Sequence, residues 1–498
     1  MSENRSRRGF LYLPLELHLC IIEELDAPDL LNLGQTCNAI RSTINQRRVW
    51  EAALRATCRL NQLFEPSYHP IEDLDILELQ RAALEPWRRS ASFTPEPPSD
   101  NPSGGESSVT SRNTLQKKIV LEGHDDYLEF HVDFEDVCIV PGGRYILGMT
   151  TRYIALWDVG QTGKGSWSSR PDRLAPSSIA RATPGKWIGE MSAPKAANAT
   201  SFRFATTENN ECFHVYEVGP LPDVCSIREI ASLQGIPREL YGYKFWLQGD
   251  SLVCHFDEGI VVWDFIQSRY TAIKTRGNGE RMITSGNLIV AFQDVSIGVW
   301  TIPPLKPLEP TSLRLELQGF LSRDFTAAID FDTIQGEVNG RVPWCRIYLP
   351  SPWYSYPPTA LEYATISNDL NALKIERFLL DVTHGAGSCS RKTLISSSQP
   401  VDFMNTPHVG KRYRTICGSL SMDNILQQGF YLEGLRAGMF HSVNGGTQLK
   451  DVVDIQYAFK DLGITGVLDF SHCPPTGRAA YMFVPPSNGE ITLISLLY

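Results

Sequence analysis

The chain has 498 residues, of which 42% are hydrophobic and 20% are charged, and its formal net charge is −10 with a pI near 5.6. A chain of this length exceeds what one compact core supports, so we expect two or more domains with an ordinary globular composition. The acidic balance disfavours a nucleic-acid partner, because that surface would need a basic patch.

The 11 cysteines are an odd number and include no C-x-x-C pair. This usage is typical of an intracellular chain with free thiols, in the cytoplasm or the nucleus, and it predicts no zinc site. The apolar run from Phe10 to Ile22 contains Pro14, Glu16 and His18, and no cleavage site follows it, so we do not expect a signal peptide. No apolar stretch is long enough to predict a membrane span.

The segment from Leu13 to Trp50 predicts three short amphipathic helices. Leu13, Leu17, Ile21 and Leu25 recur at every fourth position, so they share one face of the first helix. A unit of this size has a small core of its own and often depends on a partner.

Prolines and an aspartate mark the helix starts. Pro14 fits a first helical turn, because its missing N–H costs nothing there. Pro28 cannot continue the first helix but can open a second one, with Asp26 as its N-cap. The third helix is expected to begin near Val49. The apolar residues of the second helix are Leu30, Leu33, Cys37, Ile40 and Ile44, and those of the third are Trp50, Ala53, Leu54 and Thr57.

This segment resembles the F-box pattern in order and spacing, at Leu13-Pro14, Glu16-Leu17, Ile21, Leu25, Asp29-Leu30, Leu33, Cys37 and Trp50. It departs from the family at Thr36 and Ile40, where Val and Trp are frequent. F-box proteins bind a Skp-family adaptor, which joins them to a cullin–RING ubiquitin ligase. A helical cap that serves only folding is the alternative. The resemblance implies adaptor contacts at Leu13, Pro14, Leu17, Ile21, Leu25, Asp29, Leu30, Leu33, Cys37, Ile40 and Trp50.

A further helix is predicted from Ile71 to Arg89, and Pro86 is expected to end or bend it. Its stretch LQRAALEPWRR also resembles the segment after the box in some fungal F-box families. Such a helix would be a spacer that sets the direction of the next domain. The Ser-, Pro- and Gly-rich segment that follows cannot bury enough apolar surface to fold. The expected domains are an F-box at 1–64, a linker helix at 65–90, a disordered linker at 91–115 and a β-domain at 116–498.

In the β-domain, short β-rich runs alternate with Gly, Pro, Asn and Asp turns. Several strands end alike, in IALWDV, FHVYEV, GIVVWDF and SIGVWTI, which is an internal repeat. Three antiparallel hairpins are predicted: Tyr145–Leu147 with Tyr153–Val159, Ser251–Phe256 with Ile260–Phe265, and Asn287–Phe292 with Ser296–Ile302.

The repeat resembles a divergent WD-type β-propeller. Trp157-Asp158 and Trp263-Asp264 resemble the ends of WD blades, Gly123-His124 resembles the Gly-His element and Pro141-Gly142-Gly143 resembles the inner turn. Thr150-Thr151 stands where the family places an Asp that pairs with the His. The implied fold class is multidomain, α plus all-β. Fourth strands are expected to end near Val159, Val218, Phe265, Ile302, Tyr348, Leu380 and Leu497, which favours seven blades and leaves six and eight open.

Long loops are then expected at Gly160–Pro194, Pro350–Ala360 and Thr383–Pro407, and residues 411–459 could hold an eighth blade or a helical insertion. A strand at the C-terminus needs a partner to avoid an open edge. We expect Lys118–Leu121 to pair with the last strand and to close the ring.

Candidate catalytic groups are sparse. His124-Asp125-Asp126 with His131 would alternate between the two faces of a strand, which favours hydrogen bonds at a blade edge over a metal site. His384–Ser388 faintly resembles an esterase oxyanion loop, but no G-x-S-x-G motif accompanies it. Gly142-Gly143 and the glycines of 277–279 predict turns, since neither pair opens a helix. No catalytic residue, metal or cofactor is predicted. The tryptophans expected in blade cores are Trp157, Trp187, Trp246, Trp263, Trp300, Trp344 and Trp353.

The function that these features favour is a non-catalytic substrate-recognition subunit of an SCF-type ubiquitin ligase. It would bind the Skp-family adaptor through the F-box and an unknown target protein through the propeller, at residues that the sequence does not identify. One alternative is an F-box scaffold that acts without degrading a target. The other is a propeller enzyme or small-ligand binder with an incidental helical cap.

Overall fold

The computed structural model describes residues 13–92, 114–123, 134–164, 171–234, 236, 244–256 and 259–274, and shorter segments, most of them strands, between 281 and 497. The chain begins with a helical domain of α1 (Leu15–Glu23), α2 (Ala27–Gly34), α3 (Asn38–Ile44), α4 (Arg47–Leu60) and α5 (Ile76–Ser92), with 3-10 turns at Glu65–Tyr68 and Ile71–Asp73.

The second predicted helix is in fact two helices, so that prediction is wrong in extent. The backbone N–H of Thr36 donates to Leu33 O over 3.1 Å, and its Oγ1 donates to the same carbonyl over 2.7 Å, which closes a turn. Cys37 is extended, with φ −159° and ψ 160°. Arg41 Nε then donates to Gly34 O at the end of α2 over 3.1 Å. The local hydrogen bonds therefore end α2 although the apolar spacing continues.

Helix α5 starts later and runs further than the sequence indicated. The backbone N–H of Glu78 donates to Asp75 Oδ1 over 2.8 Å, and that of Asp75 donates to Glu78 Oε2 over 2.9 Å, a reciprocal capping box that sets the start. Pro86 lies inside the helix and does not end it. Thr57 Oγ1 of α4 donates to Ala83 O over 3.1 Å, so α5 lies against the helical domain.

The described part of the chain after residue 113 consists of β-sheets, which are antiparallel except where β5 lies parallel to β1. The early strands are β1 (Thr114–Leu121), β2 (Phe134–Ile139), β3 (Tyr145–Thr150), β4 (Tyr153–Asp158), β5 (Arg173–Leu174), β6 (Ser178–Arg181), β7 (Ile188–Met191), β8 (Lys195–Ala196), β9 (Phe202–Glu208), β10 (Cys212–Val218), β11 (Ile227–Gln234), β12 (Lys244–Gln248), β13 (Ser251–Phe256), β14 (Gly259–Asp264) and β15 (Arg269–Lys274).

The later strands are β16 (Arg281–Ser285), β17 (Leu288–Phe292), β18 (Ile297–Thr301), β19 (Lys306–Pro307), β20 (Asp330–Phe331), β21 (Cys345–Tyr348), β22 (Ala360–Asp369), β23 (Ala372–Asp381), β24 (Ser390–Pro400), β25 (Phe430–Glu433), β26 (Arg436–Val443), β27 (Gly446–Asp454), β28 (Val467–Cys473), β29 (Arg478–Phe483) and β30 (Ile491–Leu497).

Each sheet is built mainly from strands that follow one another in the chain, and the described strands form seven such sheets. The last sheet also contains β1, which pairs with β30 in register from Lys118 opposite Ile494 to Leu121 opposite Ile491. The predicted ring closure is confirmed, and successive sheets joined by the first strand define a β-propeller. The sheet orders are β2-β3-β4-β6, β7-β9-β10-β11, β12-β13-β14-β15-β19, β16-β17-β18-β20, β21-β22-β23-β24, β25-β26-β27 and β28-β29-β30-β1-β5.

The three predicted hairpins are confirmed as β3–β4, β13–β14 and β17–β18. The strands that end in the repeat, such as β4 and β14, are however third strands, and the prediction that they are fourth strands is wrong. The fourth strands β6 and β11 expose much of their length, so they lack a core-forming apolar pattern. The region 160–194, expected to be a loop, contains β5, β6 and β7.

Three of the expected core tryptophans are buried: Trp157, Trp263 and Trp353 are at most 2% exposed. Trp187 is 41% exposed, so its assignment to a blade core is wrong. Trp246 packs half-buried against a core. Trp300 is also half-buried, and Trp344 lies outside the described residues.

The turn predicted at Gly142-Gly143 is confirmed. The two residues have φ +100° and +76°, and the backbone N–H of Gly143 donates to Val140 O over 2.8 Å. The histidine cluster at 124–131, the glycines at 277–279 and the loop 384–388 lie outside the described residues.

Candidate functional site

Exposed large apolar side chains are concentrated on α1 and α2. Four of the eight large apolar side chains that are exposed among the described residues lie on these two helices. They are Leu15, Leu17, Ile21 and Leu31, with exposed fractions of 39–48%. Exposed large apolar side chains that are concentrated in one short chain segment are typical of a protein-binding site. We call these four residues the α1–α2 surface.

The apolar stripe of the first helix faces outward. Leu19 and Ile22 are the buried residues of α1, whereas Leu17 and Ile21 of the predicted stripe are exposed. Helix α1 therefore carries apolar residues on two sides, one for the core and one for solvent. This excess is what a helix needs if a partner covers its outer side.

The α1–α2 surface has an acidic surround. Between Leu13 and Ile40 the chain contains no Lys or Arg, and its five carboxylates are all exposed. Partial burial, and secondly the neighbouring Asp29, raises the pKa of Asp26. A complementary partner would offer apolar side chains with basic groups around them. The five are Glu16, Glu23, Glu24, Asp26 and Asp29.

The structure divides the predicted adaptor-binding residues into three groups. Leu30, Ile40 and Trp50 are buried at 1%, 8% and 0% exposure, so in this conformation they pack beneath the surface. Their part in adaptor binding stays a prediction, as does that of the others. The exposed group is Pro14, Leu17, Ile21 and Asp29, and the half-buried group is Leu13, Leu25, Leu33 and Cys37.

Sequence reasoning missed Leu15 and Leu31. Both lie outside the every-fourth-residue stripe, and Leu15 is spaced four and seven residues before the buried Leu19 and Ile22, so it lies on their side of α1 and is exposed where the helix starts. Leu31 follows the buried Leu30 on α2, so it points away from the core that Leu30 enters.

A short segment between α4 and α5 packs against the propeller and so connects the helical domain to it. We call Phe64–Pro70 the wedge. The Phe64 ring is fully buried, with its centroid 5.2 Å from that of Trp353 and 5.9 Å from that of Phe202. The backbone N–H of Phe64 donates to Pro141 O over 3.0 Å. The two domains thus share direct contacts besides the connection through 93–113.

The described residues include no group of three His, Cys, Asp or Glu side chains placed to hold a metal ion. Burial raises the pKa of the Cys212 thiol to about 12 and that of Cys225 to about 11, so these groups remain thiols at neutral pH. No helix in the described ranges is long and apolar enough to cross a membrane.

Residues 10–58 match the family model described as F-box-like, so the chain carries an F-box-like domain that contains the α1–α2 surface. The family pattern covers this N-terminal part of the chain and not the propeller. No curated protein matches the chain in sequence.

Solved structures with some likeness include the WD40 domain of SCAP from fission yeast, at 7% identity over 73% of this chain and 84% of that chain, with a TM-score of 0.34. The N-terminal domain of Nup159 has 8% identity over 78% and 95%, with a TM-score of 0.36. The periplasmic gluconolactonase PpgL of Pseudomonas aeruginosa has 9% identity over 64% and 83%, with a TM-score of 0.35. Likeness of this degree says nothing of function. The propeller assignment rests on the sheet order and the closure of the ring by β1 and β30.

Proposed function

We propose that this protein is the substrate-recognition subunit of an SCF-type ubiquitin ligase in the cytoplasm or the nucleus. The F-box-like domain would bind a Skp-family adaptor, and the propeller would bind a target protein. The observation that carries this proposal is the α1–α2 surface: Leu15, Leu17, Ile21 and Leu31 are exposed within a domain that matches the F-box-like family.

The proposed mechanism is an increase in effective concentration. A target held on the propeller and a ubiquitin-charged enzyme held through the adaptor and a cullin would meet within one assembly. Linking two binding sites in this way makes the encounter intramolecular and raises its effective concentration to about the millimolar range. The chain itself would form and break no covalent bond.

The direct test is capture of the Skp-family adaptor by the full chain. The Leu17→Ala/Ile21→Ala variant is expected to recover at least tenfold less adaptor than the wild type, because both side chains would be buried on binding. Leu13→Ala/Pro14→Ala is expected to do the same at the start of α1. The matched control is Leu77→Ala, whose leucine is 63% exposed on α5 and lies outside the α1–α2 surface. Undiminished adaptor capture by Leu17→Ala/Ile21→Ala would contradict the proposal.

A second measurement separates a substrate receptor from a scaffold. Proximity capture with the proteasome blocked compares the wild type with the Leu17→Ala/Ile21→Ala variant. A receptor recovers cullin together with proteins that accumulate when this chain is removed from the cell. A scaffold recovers cullin without any such protein.

A further inference from the structure

The ring of the propeller closes where its first sheet meets its last, and polar contacts join the two sheets there. The backbone N–H of Ile139 donates to Ser471 Oγ over 2.9 Å. Arg478 Nη1, from the last sheet, donates to Gly143 O over 2.6 Å and to Thr162 Oγ1 over 3.1 Å. We call this junction the seam. Every propeller has such a junction, and here it is bonded at the loops that follow β2 and β4.

The wedge lies on those same loops. Ser67 Oγ donates to Pro141 O over 3.3 Å, and the backbone N–H of Thr162 donates to Ser67 O over 2.8 Å. Thr162 Oγ1 in turn donates to Gly142 O over 2.7 Å. Thr162 therefore contacts the wedge, the first sheet and, through Arg478, the last sheet.

Two side chains from the loops that follow β2 and β4 donate hydrogen bonds to carbonyl groups of the wedge. Arg144 donates from Nε and Nη2 to the two oxygens of Asp158, both over 2.8 Å, and its Nη1 donates to His69 O. Gln161 Nε2 donates to Tyr68 O over 2.8 Å and to Pro70 O over 2.6 Å. Arg144 is 9% exposed. Burial opposes its charge most strongly, but the hydrogen bonds to Asp158 and the electrostatic attraction of Tyr145 and Asp158 together outweigh burial, so the pKa of Arg144 is raised.

The apolar core is continuous across this junction. One cluster of buried residues contains Leu54 of α4 and Leu79 of α5 together with Ile119 of β1 and Leu493 of β30. The α5 helix also lies beside the 3-10 turn Pro474–Thr476 of the last sheet. The helical domain thus packs on both sides of the seam.

We propose that the wedge is a clamp across the propeller seam, so that the F-box-like domain and the ring form a single rigid body with one orientation. Arg144 and Gln161 are the positioning residues, because they donate hydrogen bonds to the carbonyl groups of the wedge. The clamp is a property of the chain alone. Its consequence, that the adaptor and the target are held at a fixed distance, rests on the proposed function.

Gln161→Glu tests the clamp in the full-length protein. The substitution keeps the side-chain size but puts a carboxylate opposite two carbonyl oxygens in place of a donor. The matched control is Gln267→Glu, the same change at an exposed residue after β14. The measurement is amide hydrogen exchange by mass spectrometry, with tryptophan-detected melting beside it.

In Gln161→Glu we expect exchange at least tenfold faster in peptides that cover 64–70, 137–148 and 471–480, with melting within about 4 °C of the wild type. Gln267→Glu should leave these peptides unchanged. Arg144→Lys should resemble Gln161→Glu, because lysine cannot bond Asp158 and the wedge carbonyls together. Unchanged exchange at 471–480 in Gln161→Glu would overturn the clamp, since the wedge would then not secure the last sheet.

A separate experiment tests the consequence for function, which is that adaptor and target are held at a fixed distance. A saturating Skp-family adaptor should slow exchange in the wild type at 137–148 and 471–480 as well as in α1 and α2, because a ligand of one part of a cooperative body stabilises all of it. Slowing confined to α1 and α2 would overturn the single rigid body. If the adaptor does not bind at all, the proposed function fails, whereas the comparison of Gln161→Glu with Gln267→Glu still decides the clamp.

Discussion

Leu121 and Ile491 lie opposite each other in the antiparallel ladder of β1 and β30, and both side chains are fully buried. They are 370 positions apart in the chain. This pair and its neighbours join the start of the β-domain to its end. The stability of the ring therefore depends on the pairing of β1 with β30.

Deletion of Ile491–Tyr498 is expected to unfold the propeller, because it exposes the edge of β1 and removes two fully buried residues, Ile491 and Leu493. Leu493→Ala is a milder change in the same strand, and it should lower the free energy of unfolding by about 2–5 kcal/mol, as truncation of a buried leucine does. Urea unfolding measures both. A truncated protein that stays soluble with unchanged melting would contradict the closure.

Leu15→Ala should weaken adaptor binding as strongly as Leu17→Ala does, although Leu15 lies outside the stripe that the sequence selects. Its side chain is 46% exposed at the start of α1, on the other side of the helix from that of Leu17, at 48%, so the prediction requires an adaptor that covers the start of the helix on both sides. Loss of one such contact is expected to raise the Kd about tenfold, which is about 1.4 kcal/mol. Titration calorimetry with the purified adaptor measures this, and Leu77→Ala should leave the Kd unchanged.

Trp263→Phe is expected to cost little stability. The indole of Trp263 is 2% exposed, and its Nε1 has no hydrogen-bond acceptor among the described residues. An unsatisfied buried donor costs about 1–3 kcal/mol, so its removal offsets part of the packing that phenylalanine loses. Trp263→Ala should cost about 3–5 kcal/mol. A loss of stability in Trp263→Phe as large as that in Trp263→Ala would contradict this prediction.

The carboxylate of Glu208 should give the protein a specific acid sensitivity. Burial alone would raise the pKa of Glu208, but hydrogen bonds from Lys186 Nζ over 2.9 Å and from the Thr183 backbone N–H over 2.8 Å outweigh burial and leave the pKa lowered. A carboxylate with a lowered pKa contributes stability above its unfolded pKa of about 4.3, and this contribution is lost as the pH falls through the folded value.

Glu208→Gln should therefore reduce stability at pH 7 by about 1–3 kcal/mol and have a smaller effect below about pH 4. Melting curves of wild type and variant across this range measure the difference. Glu190→Gln, an exposed residue of β7, is the control and should follow the wild type at every pH. A loss in Glu208→Gln that is the same at every pH would show that the charge is not the cause.

Much of the fold follows from the sequence, because local patterns cause it. The repeat that ends in Trp157-Asp158 and Trp263-Asp264 predicts hairpins, and the apolar last strand predicts ring closure. The fourth strands β6 and β11 could not be predicted from the sequence, because most of their residues are half-buried or exposed and they show no alternating apolar pattern. The exposure of Trp187 could not be predicted either, because it depends on a contact distant in sequence: the backbone N–H of Trp187 donates to Asn209 Oδ1 over 2.9 Å.

The candidate site is predictable in part for the same reason. The stripe at Leu17 and Ile21 is visible in the sequence, but helical spacing does not say which side of α1 faces the core. The wedge is not predictable at all, because its contacts join residues far apart in the chain, such as Arg144 and His69. Neither residue type nor local spacing marks such a pair.

Gly142→Ala measures how closely the wedge approaches the propeller. Gly142 has φ +100°, and a Cβ there would lie 2.5 Å from Ser67 Oγ and 3.2 Å from Phe64 O, so the wedge would have to move. Gly185 is the matched control, because it has φ +80° with open space around the added Cβ. Both alanines are strained by the left-handed backbone, at about 1–2 kcal/mol, and Gly142→Ala carries the clash in addition.

Thermal melting and amide hydrogen exchange at 64–70 separate the backbone strain, which both variants share, from the steric clash, which only Gly142→Ala introduces. Gly185→Ala should lower the melting temperature slightly and leave exchange of the wedge unchanged. Gly142→Ala should lower it further and speed exchange of the wedge at least tenfold, because the Phe64 N–H and the Ser67 hydroxyl both donate to Pro141 O beside the new methyl group. Equal melting and equal exchange in the two variants would place the wedge away from Gly142.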